Sequence, residues 1–458
     1  MAHRFPRELL RDYDLRGTVG RTLFEADAFA LGRSFGTVIH RDGGSRVTVG
    51  YDGRLSSPML ERALVQGLVA TGIDVVRVGL GPTPMLYHAE AVGEVDGAIQ
   101  VTGSHNPRDD NGFKLVKHHA PFFGQSIQAL GAMAAAGDWD NGAGSITECP
   151  ALDAYVARIC EGFDGPAMRI GWDAGNGAAG PAIEQLVQLL PGEHHLLFTQ
   201  VDGNFPNHHP DPSRDGNLAD LRNLVLANNL DFGVAFDGDG DRIGVVDAQG
   251  RAIAGDRLIA LFAQDLLARR PGAAVVADVK ASQSLFDAIA EWGGVADMAK
   301  TGHSHIKSRM KQIGALLGGE MTGHLFFADD YYGFDDGLYA AVRLIRTVSQ
   351  LPDGLSAWHD AQPRLFSTTE IRIPVAEEQK FAIIDALLTR LRAEEADVVA
   401  IDGARVRTAD GWWLLRASNT EAALVARAES RTAEGLIRLI ERIESHLSDS
   451  RIPFPQKE

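Results

Sequence analysis

Cysteine is nearly missing from this chain: two residues in 458, Cys149 and Cys160. Their spacing fits neither a metal site nor a redox pair, and two cysteines cannot build a disulfide scaffold. A reducing compartment is therefore expected, and with it a cytoplasmic protein. Long apolar runs are missing too. None approaches the ~18 residues that read as a membrane helix, so no membrane partner is expected. Met1 is followed by charged residues rather than an apolar stretch, so no signal peptide is expected. Positive charge is scarce: 44 Lys and Arg against 61 Asp and Glu, a formal net charge of −17. That excludes nonspecific nucleic-acid binding, which needs a basic face. A phosphorylated small molecule stays open as a ligand, because local cations dominate within a Debye length of about 8 Å.

What is there is ordinary globular chain, 45% hydrophobic and 23% charged, long enough for roughly three domains. Three stretches share one pattern of apolar strand, polar turn and amphipathic helix: "RVTVGYDGRLSSPMLERALVQGL" from Arg46, "RIGWDAGNGAAGPAIEQLVQLL" from Arg169 and "AVVADVKASQSLFDAIAEWG" from Ala274. Each reads as the opening of a βα unit, and their spacing implies three similar α/β domains rather than one sheet. Joints are expected in "AAAGDWDNGAGS" (134–145), after Val246 and in "AQPRLFSTTE" (361–370). The last segment opens with a strand at Thr369–Ile373 and closes with the helix "AEGLIRLIERIESHL", without the repeated opening. The expected domains are thus 1–148, 149–252, 253–366 and, different in kind, 367–458.

Four loops carry chemistry. In "DFGVAFDGDGDRIGVVD" (231–247), Asp237, Asp239 and Asp241 alternate with glycine between two apolar strands. Converging carboxylates suit Mg²⁺ or Ca²⁺. An EF-hand needs glycine at its sixth position and glutamate at its twelfth, where Arg242 and Ala248 stand. Arg242 is typed for a phosphate on that metal. "VTGSHNPRDDNGFK" (101–114) places Ser104 beside His105 at a strand tip. It is no nucleophile elbow, since Thr102 replaces the first glycine of G-x-S-x-G. A serine hydroxyl can still carry a phosphoryl group, whose oxygens then need a cation. "GGEMTGH" (318–324) offers Glu320, Thr322 and His324 for sugar hydroxyls, and "RASNTE" (416–421) is a donor-rich cup for phosphate. "KTGHSHIK" adds Lys300 and His303 near a helix start. One decoy is "GNGAAG" (175–180), with Asp202 beyond it, which nearly meets the dinucleotide fingerprint. A nicotinamide would leave the serine, aspartate and arginine loops without a task, and a tight turn with close helix packing explains its glycines.

Together "TGSHNP", "DGDGDR", "GEMTGH" and "RASNTE", with "YDLRG" (13–17), "GNFPNHHPDP" (203–212) and "DVKAS" (278–282), resemble the α-D-phosphohexomutase family over nearly the whole chain. The resemblance implies an α/β fold of four domains around a central cleft, three similar α/β/α domains plus a smaller α+β C-terminal one. It implies a phosphohexomutase that interconverts the 1- and 6-phosphates of mannose and glucose through a 1,6-bisphosphate. Ser104 would carry the phosphoryl group. Mg²⁺ would sit on Asp237, Asp239, Asp241 and Ser104, and glucose 1,6-bisphosphate would serve as activator and intermediate. Arg16, His105, Lys114 and Arg242 match basic positions around the transferring group, and Lys114 and His324 are the general acid/base candidates. Tyr13, Lys280 and His303 match cleft-lining positions. Glu320, Thr322 and His324 match the sugar readers, and Arg416, Ser418, Asn419 and Thr420 match the cup for the non-reacting phosphate. Sugar phosphates are the expected partners, with a monomer or weak dimer as the assembly. Departures are small: Gly103 stands where alanine is commoner, Thr322 for serine and Ala422 for proline. The nearest alternative, phosphoglucosamine mutase, usually carries glutamine at the Met321 position and glycine at Asn419. A non-catalytic sugar-phosphate or metal-binding protein would not need Ser104 and the aspartate triplet intact.

Overall fold

The computed structural model describes residues 2–418, 422–448 and 452–454. Four sheets follow one another along the chain, and the first three are variations on one unit. In the first, the strand Arg46–Tyr51 lies between two parallel partners, Asp74–Leu80 and Gly97–Val101, and Asp110–Lys117 runs antiparallel beside the latter. In the second, Met168–Asp173 lies between Gly192–Leu197 and Phe232–Phe236, with Ile243–Asp247 antiparallel beside the latter. In the third, Ala274–Asp278 lies between Val295–Ala299 and Leu317–Gly319, with Leu325–Phe327 antiparallel beside the latter. The central strands are buried on both faces (Val47, Val49, Ile170, Trp172, Val275, Val276), which is why they read as apolar runs rather than alternating ones.

Each of the three central strands feeds an amphipathic helix, Ser57–Val69, Gly180–Leu189 and Gln283–Glu291, so the three repeated openings are βα units. The third strand begins at Leu317, two residues later than the apolar Ala315-Leu316-Leu317 run suggests. In "GNGAAG" the glycines make a tight, closely packed corner. Gly175 has φ 53°, and a Cβ on Gly180 would meet the carbonyl oxygen of Thr199 at 1.8 Å.

The fourth sheet is antiparallel throughout, with Ala423–Ser430 paired to Gly411–Ala417, which pairs with Ala404–Thr408. Its helices Lys380–Ala393 and Ala433–Ser448 enclose a separate core around Trp413, Leu424 and Leu439. Against the third unit it packs Trp412 and Leu414 on Val279, and its Arg405 and Arg427 donate to the carbonyls of Val279, Ala281 and Lys280. No helix among the described residues is long and apolar enough to cross a membrane.

This topology decides where chemistry can sit. In an open α/β sheet the crevice lies beyond the carboxyl ends of the strands, where their order reverses. In each unit the loop between the third and fourth strands leaves from that place. In the first unit it holds Ser104, in the second the alternating aspartates, in the third Glu320 to His324. In the fourth sheet Arg416 and Ala417 end the strand Gly411–Ala417, and Ser418 follows it.

Candidate active site

Ser104 is 2% exposed and sits in the left-handed region at φ 48°, a conformation that costs a non-glycine residue free energy and needs local support. Thr102 and Asp52 supply part of it. Ser104 N–H donates to Thr102 Oγ1 (2.8 Å), and Asp52 Oδ2 accepts from Thr102 Oγ1 (2.8 Å) and Gly103 N–H (3.1 Å). Arg54 supplies the rest. Its buried guanidinium donates to four carbonyl oxygens of the loop: Ser104 (2.7 Å), Asn106 (2.7 Å), Pro107 (2.6 Å) and Asp110 (2.9 Å). The planar fork of arginine suits this convergence.

The Ser104 hydroxyl donates to Asp237 Oδ2 at 2.7 Å and lies 3.2 Å from His105 Nδ1. Asp237, Asp239 and Asp241 are fully buried and offer carboxylate oxygens within 4.8 Å of one another. Burial, with the mutual repulsion of the carboxylates added, raises Asp237 well above the usual carboxylate range. Two further oxygens, Asp239 Oδ1 and Asp241 Oδ1, are buried with no hydrogen-bond partner among the described residues. Buried, repelling carboxylates with orphaned oxygens are costly alone and fit a divalent cation with oxygen ligands. Lys114 supplies positive charge from the first unit: its ammonium reaches Asp239 Oδ2 at 2.7 Å and also contacts Asp241. Burial opposes its charge, but the two carboxylates prevail and hold it protonated well above its usual range. Thr83 braces Asp239 by a hydroxyl bond and by donating its N–H to the Asp239 carbonyl (2.8 Å).

The remaining cations surround this core. Arg16 donates to Asn106 Oδ1 (2.7 Å) and Gly103 O (3.3 Å), and its second nitrogen to Asp14. Arg242 donates from Nε to His324 Nε2 at 2.9 Å, so the proton of neutral His324 belongs on Nδ1, which lies 3.1 Å from Asp335 Oδ2. His303 stacks on His324 with ring centroids 5.6 Å apart. Burial first, then Arg242 and Arg16, push His105 well below the usual histidine range. Burial and Lys307 do the same to His303.

The sugar-reading candidates line up behind. Glu320 Oε1 accepts the Gly302 N–H at 2.7 Å, and Tyr13 donates its hydroxyl to Thr301 O at 2.8 Å. Thr322 is half-buried on the same loop as Glu320. Lys280 is buried and pairs with Glu370 of the fourth segment at 2.9 Å. Arg416 donates from Nε to Asp402 Oδ2 at 2.8 Å, while its Nη2 is buried without a partner among the described residues. Ser418 is buried beside it, whereas Asn419 and Thr420 lie outside the described residues. The structure therefore gathers Ser104, His105, Lys114, the three aspartates, Arg242 and His324 by direct contact, brings Arg16 in through Gly103 and Asn106 of the serine loop, and joins Tyr13, His303 and Glu320 to them through one loop. Among the described residues, Arg416 meets that loop through Asp402.

Sequence reasoning missed Asp52, Arg54, Thr83, Asp335 and Asp402. The first two were signalled by "YDGRLSS", an Asp-Gly-Arg turn at the end of a buried strand. The others are single polar residues whose partners are remote in sequence.

Models of the four phosphoglucomutase/phosphomannomutase domains match in order: alpha/beta/alpha domain I over residues 7–139, domain II over 153–250, domain III over 254–366 and the C-terminal domain over 370–446. The chain is 45% identical over 453 residues to a phosphomannomutase/phosphoglucomutase of Pseudomonas aeruginosa, covering 98% of both chains. It is 43% identical over 445 residues to a phosphoglucomutase of Neisseria gonorrhoeae, covering 96% of both. A crystal structure of a phosphoglucomutase/phosphomannomutase family protein from Burkholderia thailandensis superposes with a TM-score of 0.94 at 41% identity, over 99% of this chain and 100% of that one. The chain belongs to the phosphoglucomutase/phosphomannomutase family of α-D-phosphohexomutases, and is an enzyme of the intramolecular phosphotransferase class.

Proposed function

We propose that the protein interconverts the 1- and 6-phosphates of glucose and mannose through a phosphoserine at Ser104 and a hexose 1,6-bisphosphate. The observation that carries this reading is the Ser104 hydroxyl bonded to Asp237 inside a buried carboxylate triplet. A hydroxyl so placed is poised to exchange a phosphoryl group whose oxygens face a cation. Asp237, Asp239, Asp241 and the Ser104 oxygen would hold Mg²⁺, which when bound supplies positive charge to the phosphoryl oxygens. Phosphoryl transfer asks the protein mainly for positioning and charge stabilisation. Arg54 and Asp52 fix the Ser104 loop, and Arg16, Lys114 and Arg242 face the transferring group.

In the first half-reaction the bond between phosphorus and Ser104 Oγ breaks as the free hydroxyl of a hexose monophosphate bonds to phosphorus; Ser104 Oγ keeps the bonding pair and takes up one proton, balancing the one the sugar hydroxyl loses. His324, with Asp335 orienting its ring, and Lys114 are the candidates to take the hydroxyl proton; His324 can do so at Nε2 once the bond from Arg242 opens toward the substrate phosphate. The bisphosphate then turns over, and its other phosphate returns to Ser104. Arg416 and Ser418 hold whichever phosphate is not reacting, and Glu320, Thr322 and His303 read the ring hydroxyls. Water must be kept out during the turn, because hydrolysis of the phosphoserine would end the cycle.

The test is a Mg²⁺-dependent assay of glucose 1-phosphate conversion to glucose 6-phosphate, primed with glucose 1,6-bisphosphate and paired with intact-mass measurement. Turnover with a single added phosphate on a peptide containing Ser104 supports the reading. Turnover without such a phosphopeptide would remove Ser104 from the mechanism.

A further inference from the structure

The guanidinium of Arg416 is tied to another loop by one carboxylate. Asp402, in the turn before the strand Ala404–Thr408, accepts Arg416 Nε–H on Oδ2 at 2.8 Å. The same oxygen accepts the backbone N–H of Thr301 at 3.1 Å. Thr301 belongs to the third unit, in the loop after Val295–Ala299, so one atom joins two sheets. That loop is also gripped from the first and third units. Tyr13 of the first unit donates to Thr301 O, Glu320 accepts from Gly302 N–H, and His303 stacks on His324. Gly302 has φ 122°, and a Cβ there would meet the Tyr13 ring at 2.7 Å, so the loop has little freedom while these contacts hold.

A carboxylate beside a phosphate-binding cation repels the dianion that cation is meant to hold. Its contribution must therefore be geometric. Asp402 fixes the guanidinium plane and leaves Nη2 buried without a partner among the described residues. The fourth sheet has its own core and meets the third through a small apolar patch rimmed by hydrogen bonds, from Arg405 to the Val279 and Ala281 carbonyls, from Arg427 to the Lys280 carbonyl and from Lys280 to Glu370. Interfaces of that kind permit relative motion, so a contact shared between a ligand-binding cation and the opposite wall can bias the closed arrangement. We propose that Asp402 is a positioning residue that couples capture of the non-reacting phosphate at Arg416 to seating of the Thr301–His303 loop on the sugar. The proposal rests on the reading of Arg416 as the phosphate anchor.

Three variants test it: Asp402→Ala, Asp402→Asn and Arg416→Ala. The readouts are kcat and KM for glucose 1-phosphate, and the glucose 1,6-bisphosphate lost to solution per turnover, followed by ³¹P NMR. Asp402→Ala removes both contacts. Its kcat/KM should fall roughly 10- to 100-fold, the range of a charge-assisted hydrogen bond, and bisphosphate loss should rise. Asp402→Asn keeps one oxygen that can accept from both donors, so it should stay within about 3-fold of wild type with little added loss. Thermal melting checks the fold, and Asp402→Leu, similar in size without an acceptor, replaces the alanine variant if that one melts early. An acceptor-free variant within about 3-fold of wild type, with unchanged bisphosphate loss, overturns the coupling. So does an asparagine variant as impaired as the alanine one, since charge rather than geometry would then be at work. Arg416→Ala separates the two levels. If it leaves KM unchanged, the phosphate-anchor reading itself fails; if it raises KM while Asp402→Ala is silent, only the coupling fails.

Discussion

At the scale of single residues, the proposed chemistry turns on a strained serine and the arginine beneath it. Ser104 at φ 48° stores strain of about 1–3 kcal/mol, offset by the four carbonyls gathered on Arg54. Removing the serine hydroxyl deletes one bond to Asp237 but leaves that support in place. Ser104→Ala should therefore abolish most turnover while changing stability by no more than about 1 kcal/mol, read by a coupled assay beside urea unfolding. Arg54→Lys keeps the charge and loses the fork. An ammonium on a flexible stem cannot reach four carbonyls in one plane, so the loop should relax and the Ser104 oxygen shift. A misplacement near 1 Å can cost about 100-fold in rate, so kcat should fall roughly 10- to 100-fold with KM little changed. Wild-type kcat in Arg54→Lys would show that the loop holds its conformation without the guanidinium.

At the scale of elements, the aspartate loop between Phe232–Phe236 and Ile243–Asp247 carries its own counter-cation. Lys114 bridges Asp239 and Asp241, so chelation should stop turnover without unfolding the protein. Activity should return on adding Mg²⁺, and the melting temperature with chelator should drop by no more than about 2 °C, since roughly 1 kcal/mol shifts it by about 2–4 °C in 150–250 residues and by less in a longer chain. Asp336 makes a second element-scale case. It caps the helix Gly337–Ser349 by accepting from Tyr339 N–H, and takes bonds from the hydroxyls of Tyr155 and Tyr331. Burial pushes its carboxyl up to about 7 from an ordinary 3.8. The folded state thus binds this proton more tightly than the unfolded one, and the stability it contributes, full below about pH 4, is lost as pH rises through about 7. Asp336→Asn has no charge to bury, so its melting temperature relative to wild type should climb between those pH values; parallel curves would refute the shift. These examples also mark what could be read beforehand. Strand runs such as Val47–Val49 and Val275–Val276 announce themselves because burial on both faces demands apolar residues in sequence. The loops at 104, 237–242 and 320–324 stood out by unusual polar clustering. Asp335 and Asp402 did not, because their meaning comes from His324 and Thr301, partners that only the packed units bring near.

At the scale of the whole molecule, three copies of one unit aim the same loop at one place, and a fourth sheet brings Arg416, the proposed phosphate anchor, toward the loop that holds Thr301. A single cup must hold the phosphate whether it sits on C1 or on C6, so the proposed cycle requires the hexose to lie in the site in two orientations. Glu320 and Thr322 come from one loop and can serve both orientations only by reading hydroxyls that exchange into equivalent places. The 3- and 4-hydroxyls do this when the ring is turned over. The 2-hydroxyl falls on different sides in the two poses, so no fixed group can read it in both, and glucose and mannose differ only there. A site that hydrogen-bonds a hydroxyl discriminates by about 10⁴–10⁵, whereas one that ignores it manages roughly 10–200. The enzyme should therefore convert both glucose 1-phosphate and mannose 1-phosphate, with kcat/KM values within about two orders of magnitude of each other. Parallel coupled assays under the same Mg²⁺ and bisphosphate conditions give the ratio directly. A ratio above about 10⁴ would mean that a fixed group reads the 2-hydroxyl, and two equivalent poses on Glu320 and Thr322 could not then describe the cycle.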